Sequence, residues 1–238
     1  MKPDRVFYPA ASLAMLALTL AGFQGFYLRG HSFDGQPVPR VVLPYVVTHG
    51  TALTLWVVLL CAQTLLVASG NTRIHRRLGW AAAAVGLLIV VSGPLLAVHS
   101  IRARPGMHVI GITYPQFLLP MLAEMVLFAA FVSIGLALRG KPVLHRSMML
   151  LATLSVLSGA TSRIPAVASV FGENGWMGLF GAPVALGVLL LAVRGVLTRS
   201  LDRGFAAGLG ALVCVSLLSI GLATSDAWTR VANAIALN

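Results

Sequence analysis

Seven runs of roughly twenty apolar residues, each free or nearly free of charge, divide the chain, and short clusters rich in Arg, Lys, Gly and Pro separate them. The first run lies between Arg5 and Arg29, the second covers about Tyr45 to Ser69, and the third Leu78 to Val98. The fourth, Tyr114 to Leu138, carries one acid, Glu124. The fifth runs from His145 to Ser162, the sixth lies between Glu173 and Arg194, and the seventh between Arg203 and Asp226. Runs of this length match the hydrocarbon core of a bilayer, so the pattern predicts an all-α integral membrane bundle of seven transmembrane helices in a single domain, residues 1–238. The first run, although preceded by Lys2 and Arg5, is long for a signal-peptide core and is read as a span. In the tail from Asp226 to Asn238, Trp228, Val231, Ala232 and Ile235 recur at helical spacing, which predicts a short amphipathic helix at the membrane interface.

Composition agrees: 58% of the residues are hydrophobic and 10% charged, against about a quarter charged in soluble domains. The net charge of +11 would suggest nucleic acid in a soluble chain. Here the basic residues punctuate apolar runs, which is a topological signal and leaves no nucleic-acid partner to infer. With the N-terminus inside, the inner face holds Lys2, Arg5, Arg73, Arg76, Arg77, Arg139, Lys141, Arg146, Arg194, Arg199 and Arg203. The outer face holds Arg29, Arg40, Arg102, Arg104, Arg163 and Arg230. The excess predicts an N-in, C-out protein of a bacterial inner membrane, with the lipid bilayer as its first partner. Cys61 and Cys214 sit in apolar runs without CxxC spacing and read as small core residues.

Polar positions inside the runs give the bundle shape. His49, Trp56 and Gln63 recur every seven residues on the second span, so they share a stripe that must face other helices. His75-Arg76-Arg77 opens the third span and His145-Arg146 the fifth, and each span ends near a proline, Pro94 and Pro165. This weak repeat predicts that spans two to five pair as two hairpins in a four-helix core. Gly204 and Gly208 put a small-residue face on the seventh span.

Four histidines fall at the ends of those spans: His49 and His108 towards the outer side, His75 and His145 at the inner boundary. Imidazole is an ordinary axial ligand of haem iron, and paired histidines on facing helices can hold haem b. Arg76, Arg77 and Arg146 would then meet its propionates. Lipid phosphate is the alternative partner of the same basic cluster. The HRRLG at His75–Gly79 and the HRSMM at His145–Met149, with His49, Trp56 and Gln63 upstream, resemble motifs of uncharacterised multi-spanning bacterial membrane proteins. Those are loosely akin to di-haem b-type cytochromes and to membrane proteins of haem-copper oxidase assembly. The resemblance covers about residues 43–165 and implies a redox or metal-handling role, with other membrane redox or assembly proteins as partners.

Glu124 stands apart. It lies about ten residues into the fourth span, roughly 15 Å deep, where an ionisable group marks a proton relay or a cation or substrate site. Ser92, Ser158 and Thr161 are placed at similar depth, as alternative partners for a protonated carboxyl, and Arg163 is positioned to snorkel outward or to answer Glu124 and Glu173. Gln63 belongs to the same candidate relay. Met107-His108, His99 and His31 gather at the outer side, a donor set that suits copper(I). The last span has no lysine for a retinal Schiff base, and the chain has no Walker A, HExxH, G-x-S-x-G or Rossmann fingerprint. Three readings therefore stand: haem-dependent electron transfer, transport of a small ligand or proton centred on Glu124, and a non-catalytic membrane subunit or assembly factor.

Overall fold

The computed structural model describes residues 3–32 and 35–237; Lys2, counted above among the inner basic residues, and Asn238 at the end of the tail lie outside them. The helices are α1 (Asp4–Arg29), α2 (Leu43–Ala68), α3 (Thr72–Ala103), α4 (Tyr114–Ala137), α5 (Pro142–Ser155), α6 (Ser158–Thr161), α7 (Pro165–Phe171), α8 (Ala182–Thr198), α9 (Arg203–Ala223) and α10 (Asp226–Leu237). A π-helical turn, Met177–Gly181, leads into α8, and a two-residue hairpin, β1 (His108–Val109) with β2 (Ile112–Thr113), precedes α4.

Local chemistry sets the boundaries. Gly30, at φ 66°, ends α1 in the left-handed conformation that glycine adopts without a Cβ penalty. Thr113 and Gln116 form a reciprocal capping box at the start of α4. Asp202 caps α9 by accepting the Phe205 N–H at 3.0 Å. Pro120 inside α4 has no N–H to give the Gln116 carbonyl. The indole N–H of Trp228 on α10 fills that place at 3.2 Å, while Gln116 Nε2 donates to Thr229 Oγ1 at 2.9 Å. The amphipathic tail is thus a helix folded back onto α4 and α3, with Trp228 and Ile235 packed against Leu118 and Ile101.

Among the described residues, six helical stretches are long and apolar enough to cross a membrane: α1, α2, α3, α4, Met177–Thr198 and α9. Large apolar side chains such as Leu28, Trp80, Val126 and Val196 stay exposed on their flanks, as a lipid-facing surface requires. The chain is accordingly an all-helical, multi-pass integral membrane protein. The third stretch is longer than hydropathy outlines, because the basic segment from Thr72 continues the helix.

The fifth predicted span differs in kind. It is broken twice, after Ser155 and again at Ser162–Ile164, into α5, α6 and α7. At both breaks the backbone tightens into i→i−3 bonds, from Val156 to Thr153, Leu157 to Leu154, Arg163 to Ala160 and Ile164 to Thr161. The broken segment keeps contact with α4 through α5 and α6: His145 Nδ1 meets the Gly135 carbonyl near one end and Ser158 donates to Glu124 midway, while beyond α7 the Gly175 N–H reaches the Ile110 carbonyl of the hairpin turn.

The stripe on α2 finds partners on two other helices. His49 Nδ1 lies 2.9 Å from Ser92 Oγ on α3, and Trp56 Nε1 donates to Thr153 Oγ1 on α5 at 3.0 Å. With α2 on α3, α3 on α4 and α4 on α5, these bonds close a ring around Phe128 and Trp56, whose rings meet edge-on at 4.9 Å. α1 packs on α2 and α6, and α9 on α4 and α5. A Cβ at Gly208 would press on Leu151 and Phe131, so the small-residue face of α9 is what lets it approach the ring.

Candidate functional site

The two ends of the bundle carry different chemistry. At the end where α3 and α5 begin, His75 and His145 come together edge to face, ring centroids 6.3 Å apart. His145 Nδ1 is engaged by the Gly135 carbonyl at 2.8 Å. His75 Nδ1 and Gln63 Oε1 are both buried without a hydrogen-bond partner among the described residues. Arg76 and Arg77 point away into exposed positions. Arg146, expected beside His145 as a carboxylate ligand, already has one within the chain. Its guanidinium pairs with Asp4 at 2.9 Å and lies over the Tyr8 ring, 4.9 Å from the centroid.

That pair extends into a network the sequence reading did not assemble. Arg194 Nη1 bonds Asp202 Oδ2 at 2.5 Å, with side chains 10% and 3% exposed, and its Nε lies 3.6 Å from Asp4 Oδ1. Ser147 Oγ reaches the same Asp202 oxygen at 2.5 Å. α1, α5, α8 and the start of α9 are thereby tied at one end. The available signal was Asp202 itself, a helix-capping acid standing alone among Arg199, Arg203 and Arg194.

At the opposite end, beside the β1–β2 hairpin, the bundle holds a cavity of about 260 Å³. Glu124 of α4 faces it from one side, with Ser158 of α6 donating a hydrogen bond to its carboxyl. Of the three hydroxyls placed at this depth, the break after α5 brings in Ser158, whereas Ser92 serves His49 and Thr161 bonds the backbone of its own turn. Arg163, at the second break, faces the same cavity. Its guanidinium sits over the Phe23 ring at 4.9 Å, donates to the Gly159 carbonyl and is close enough to Glu124 for the charges to interact. Ser162 Oγ, buried and without a hydrogen-bond partner among the described residues, also lines the space. Phe26, Tyr27, Tyr114 and Phe117 supply aromatic walls.

The remaining candidates are divided. His49 lines this cavity, but His108 lines a second hollow of about 790 Å³ that shares His31, Ser162 and Arg163 with the first and adds Arg29 and Glu173. His49 and His108 therefore open onto different spaces. His99 stacks on Tyr45, centroids 3.9 Å apart, and lines neither. Neither cavity is lined by His75 or His145. No group of three or more His, Cys, Asp or Glu side chains able to hold a metal ion occurs among the described residues.

The fold and this site define a class: a helical multi-pass membrane protein with a largely apolar cavity at a broken helix, into which one carboxyl and one guanidinium face. Comparison with protein-family models, with curated proteins and with solved structures returns no match for the chain.

Proposed function

We propose that the protein is a transporter of a small ligand, held in the cavity by Glu124 and Arg163. The observation that carries this reading is the coincidence of a broken helix with a buried carboxyl. Backbone that departs from helix at membrane depth is tolerated where it lines a cavity, and discontinuous helices of this kind form substrate sites in transporters. Here both breaks contribute directly, the first by presenting Ser158 to Glu124 and the second by carrying Arg163. An ionisable residue in such a place is costly unless it has work to do.

In this reading the chain crosses a bacterial inner membrane seven times, the broken segment making the fifth crossing. The basic helix starts at His75 and His145 face the cytoplasm, and the cavity opens to the outer side. The positive-inside distribution supports that orientation.

The test is a thermal-shift screen of the detergent-purified protein against amines, amino acids, carboxylates and metal cations, followed by uptake of the stabilising class into proteoliposomes. A ligand present at a hundred times its Kd stabilises by about 2.7 kcal/mol, which such a screen detects. One class is expected to raise the Tm of the wild type and to lose that effect, and its uptake, in Glu124→Gln. A stabilising class acting equally on wild type, Glu124→Gln and Arg163→Gln would overturn the reading, as would the absence of any stabilising class.

A second reading rests on the inner histidine pair. Two imidazoles from different helices fit haem b in donor chemistry: the bond from His145 Nδ1 to Gly135 leaves Nε2 for iron, and His75 Nδ1 is buried without a hydrogen-bond partner among the described residues. Haem bound there would supply one-electron transfer, with the chain fixing the two rings and keeping water from them. The reduced-minus-oxidised spectrum of the purified protein is then expected to show split α and β bands that vanish in His145→Ala. A colourless, iron-free preparation would end that reading.

A further inference from the structure

The cavity at Glu124 is also lined by sulfur and imidazole, and their arrangement names a ligand. Met121 and Met125 stand four residues apart on α4, hence on one face, and both line the cavity together with Met107, His31 and His49. Counted from Tyr114 at the hairpin end of α4, Met121 lies about 10 Å and Met125 about 16 Å along the helix. Met107 is in the segment before the hairpin. Three thioethers thus line the cavity in order from the hairpin end inward.

At the base, Gly93 makes room for two donors. Met125 Sδ lies 2.5 Å, and His49 Cε1 3.1 Å, from the point a Cβ on residue 93 would occupy. Sulfur and imidazole edge are therefore neighbours in a notch that any larger residue would fill. The short bond from Ser92 to a carbonyl of its own helix favours one ring nitrogen of His49 as the available one. Ser92 Oγ has one proton and gives it to the Leu88 carbonyl at 2.6 Å, so at 2.9 Å from His49 Nδ1 it acts as acceptor. The His49 proton then sits on Nδ1, and Nε2 keeps its lone pair, with no hydrogen bond to it among the described residues. A histidine whose Nδ1–H is held by a neighbour while Nε2 is left open is oriented as a metal ligand.

We propose that this cavity binds a soft monovalent cation, copper(I), with His49 Nε2 and Met125 Sδ as ligands and with Met121 and Met107 as earlier stations on its way in. Neutral thioether and imidazole donors select such an ion over zinc, magnesium or calcium. They also coordinate it without displacing a proton. The proposal rests on the reading of the cavity as a ligand site and specifies that ligand: the Glu124 carboxyl facing the same cavity offsets the ion's charge, so Glu124→Gln weakens copper(I) binding as well.

The test is an anaerobic titration of the full-length protein with copper(I) in competition with bicinchoninate, alongside X-ray absorption at the copper edge. One copper(I) per chain is expected, with nitrogen and sulfur in its first shell. Met125→Leu, which preserves volume, should weaken binding at least a hundredfold. Ser92→Ala, which frees the His49 ring, should weaken it between tenfold and a hundredfold. Absence of bound copper(I), or binding unchanged in Met125→Leu because the metal sits at His75 and His145 or at a cysteine, overturns the proposal. Copper(I) failing while another class stabilises the protein in a Glu124-dependent way removes the metal and leaves the transporter reading standing. If no class stabilises the protein at all, both fall.

Discussion

Replacing Asp202 with alanine is expected to destabilise the folded protein by about 4 kcal/mol, the cost of stranding a buried charge together with the loss of a helix cap. Asp202 is 3% exposed and has three partners: the Arg194 guanidinium, Ser147 Oγ and the Phe205 N–H. Remove it and Arg194, 10% exposed, keeps only the Tyr8 ring, 5.7 Å away, and Asp4, whose nearest oxygen is 3.6 Å away and beyond hydrogen-bond length. α9 loses its N-cap in the same step. The measurement is equilibrium unfolding in mixed micelles, wild type against Asp202→Ala. A loss under about 1 kcal/mol would contradict a structural role. The double variant Asp202→Ala with Arg194→Met separates the two causes, since removing both charges relieves the stranded cation and leaves only the missing cap, about 1 kcal/mol. This network holds α1, α5, α8 and α9 at the end remote from the cavity, so the variant should lower stability more than it alters ligand affinity.

The membrane bundle was legible because hydropathy over twenty residues is a sum, and no single residue decides it. Length and charge therefore located six of the seven runs as continuous helices. The fifth run shows the limit of such sums. Val156 and Leu157 are as apolar as their neighbours, and the sequence marks the breaks only with Ser158-Gly159 between them and Pro165 after the second. The interruption coincides with the hydrogen bond from Ser158 to Glu124, a tertiary contact that a hydropathy sum does not register. Depth was legible too: three hydroxyls could be placed level with Glu124 by counting residues. Which of them turns towards it depends on helix rotation, which counting does not give.

The same distinction runs through the histidines. His75 and His145 open consecutive inner helices, and their meeting at 6.3 Å depends on α3 and α5 lying on facing sides of the ring. His49 and His108 are both outer by counting, yet one is inside a helix and the other on β1, facing different hollows. The methionines carried no signal alone, since Met is a common filler of apolar interiors. It is Gly93, a residue with no side chain, that sets Met125 beside His49. Arg146 was read as awaiting a carboxylate, and the carboxylate came from Asp4, 142 residues earlier.

Gly22→Ala is expected to destabilise the protein by about 3 kcal/mol, against the usual sign of that substitution. Within a helix, Gly→Ala ordinarily stabilises by up to about 1 kcal/mol, because glycine gives up more backbone freedom on folding. At Gly22 the new methyl would overlap the backbone carbonyl of Ala160 on α6. Side-chain rotamers can yield in a tight core at about 1–3 kcal/mol, but a carbonyl fixed in a helical turn yields only if α1 and α6 separate. Gly25, one turn further along α1, has nothing within 4 Å of its would-be Cβ, so Gly25→Ala should be neutral or slightly stabilising in the same unfolding assay. Equal effects at the two positions would mean that α1 does not bear on α6 in this way. The consequence reaches the site, because α6 carries Ser158 and leads directly into Arg163, which lies over Phe23 of α1. A separation there removes the hydrogen bond to Glu124 and tilts the guanidinium away. Gly22→Ala should therefore lower ligand affinity as well as stability, whereas Asp202→Ala, at the far end of the bundle, lowers stability more than affinity.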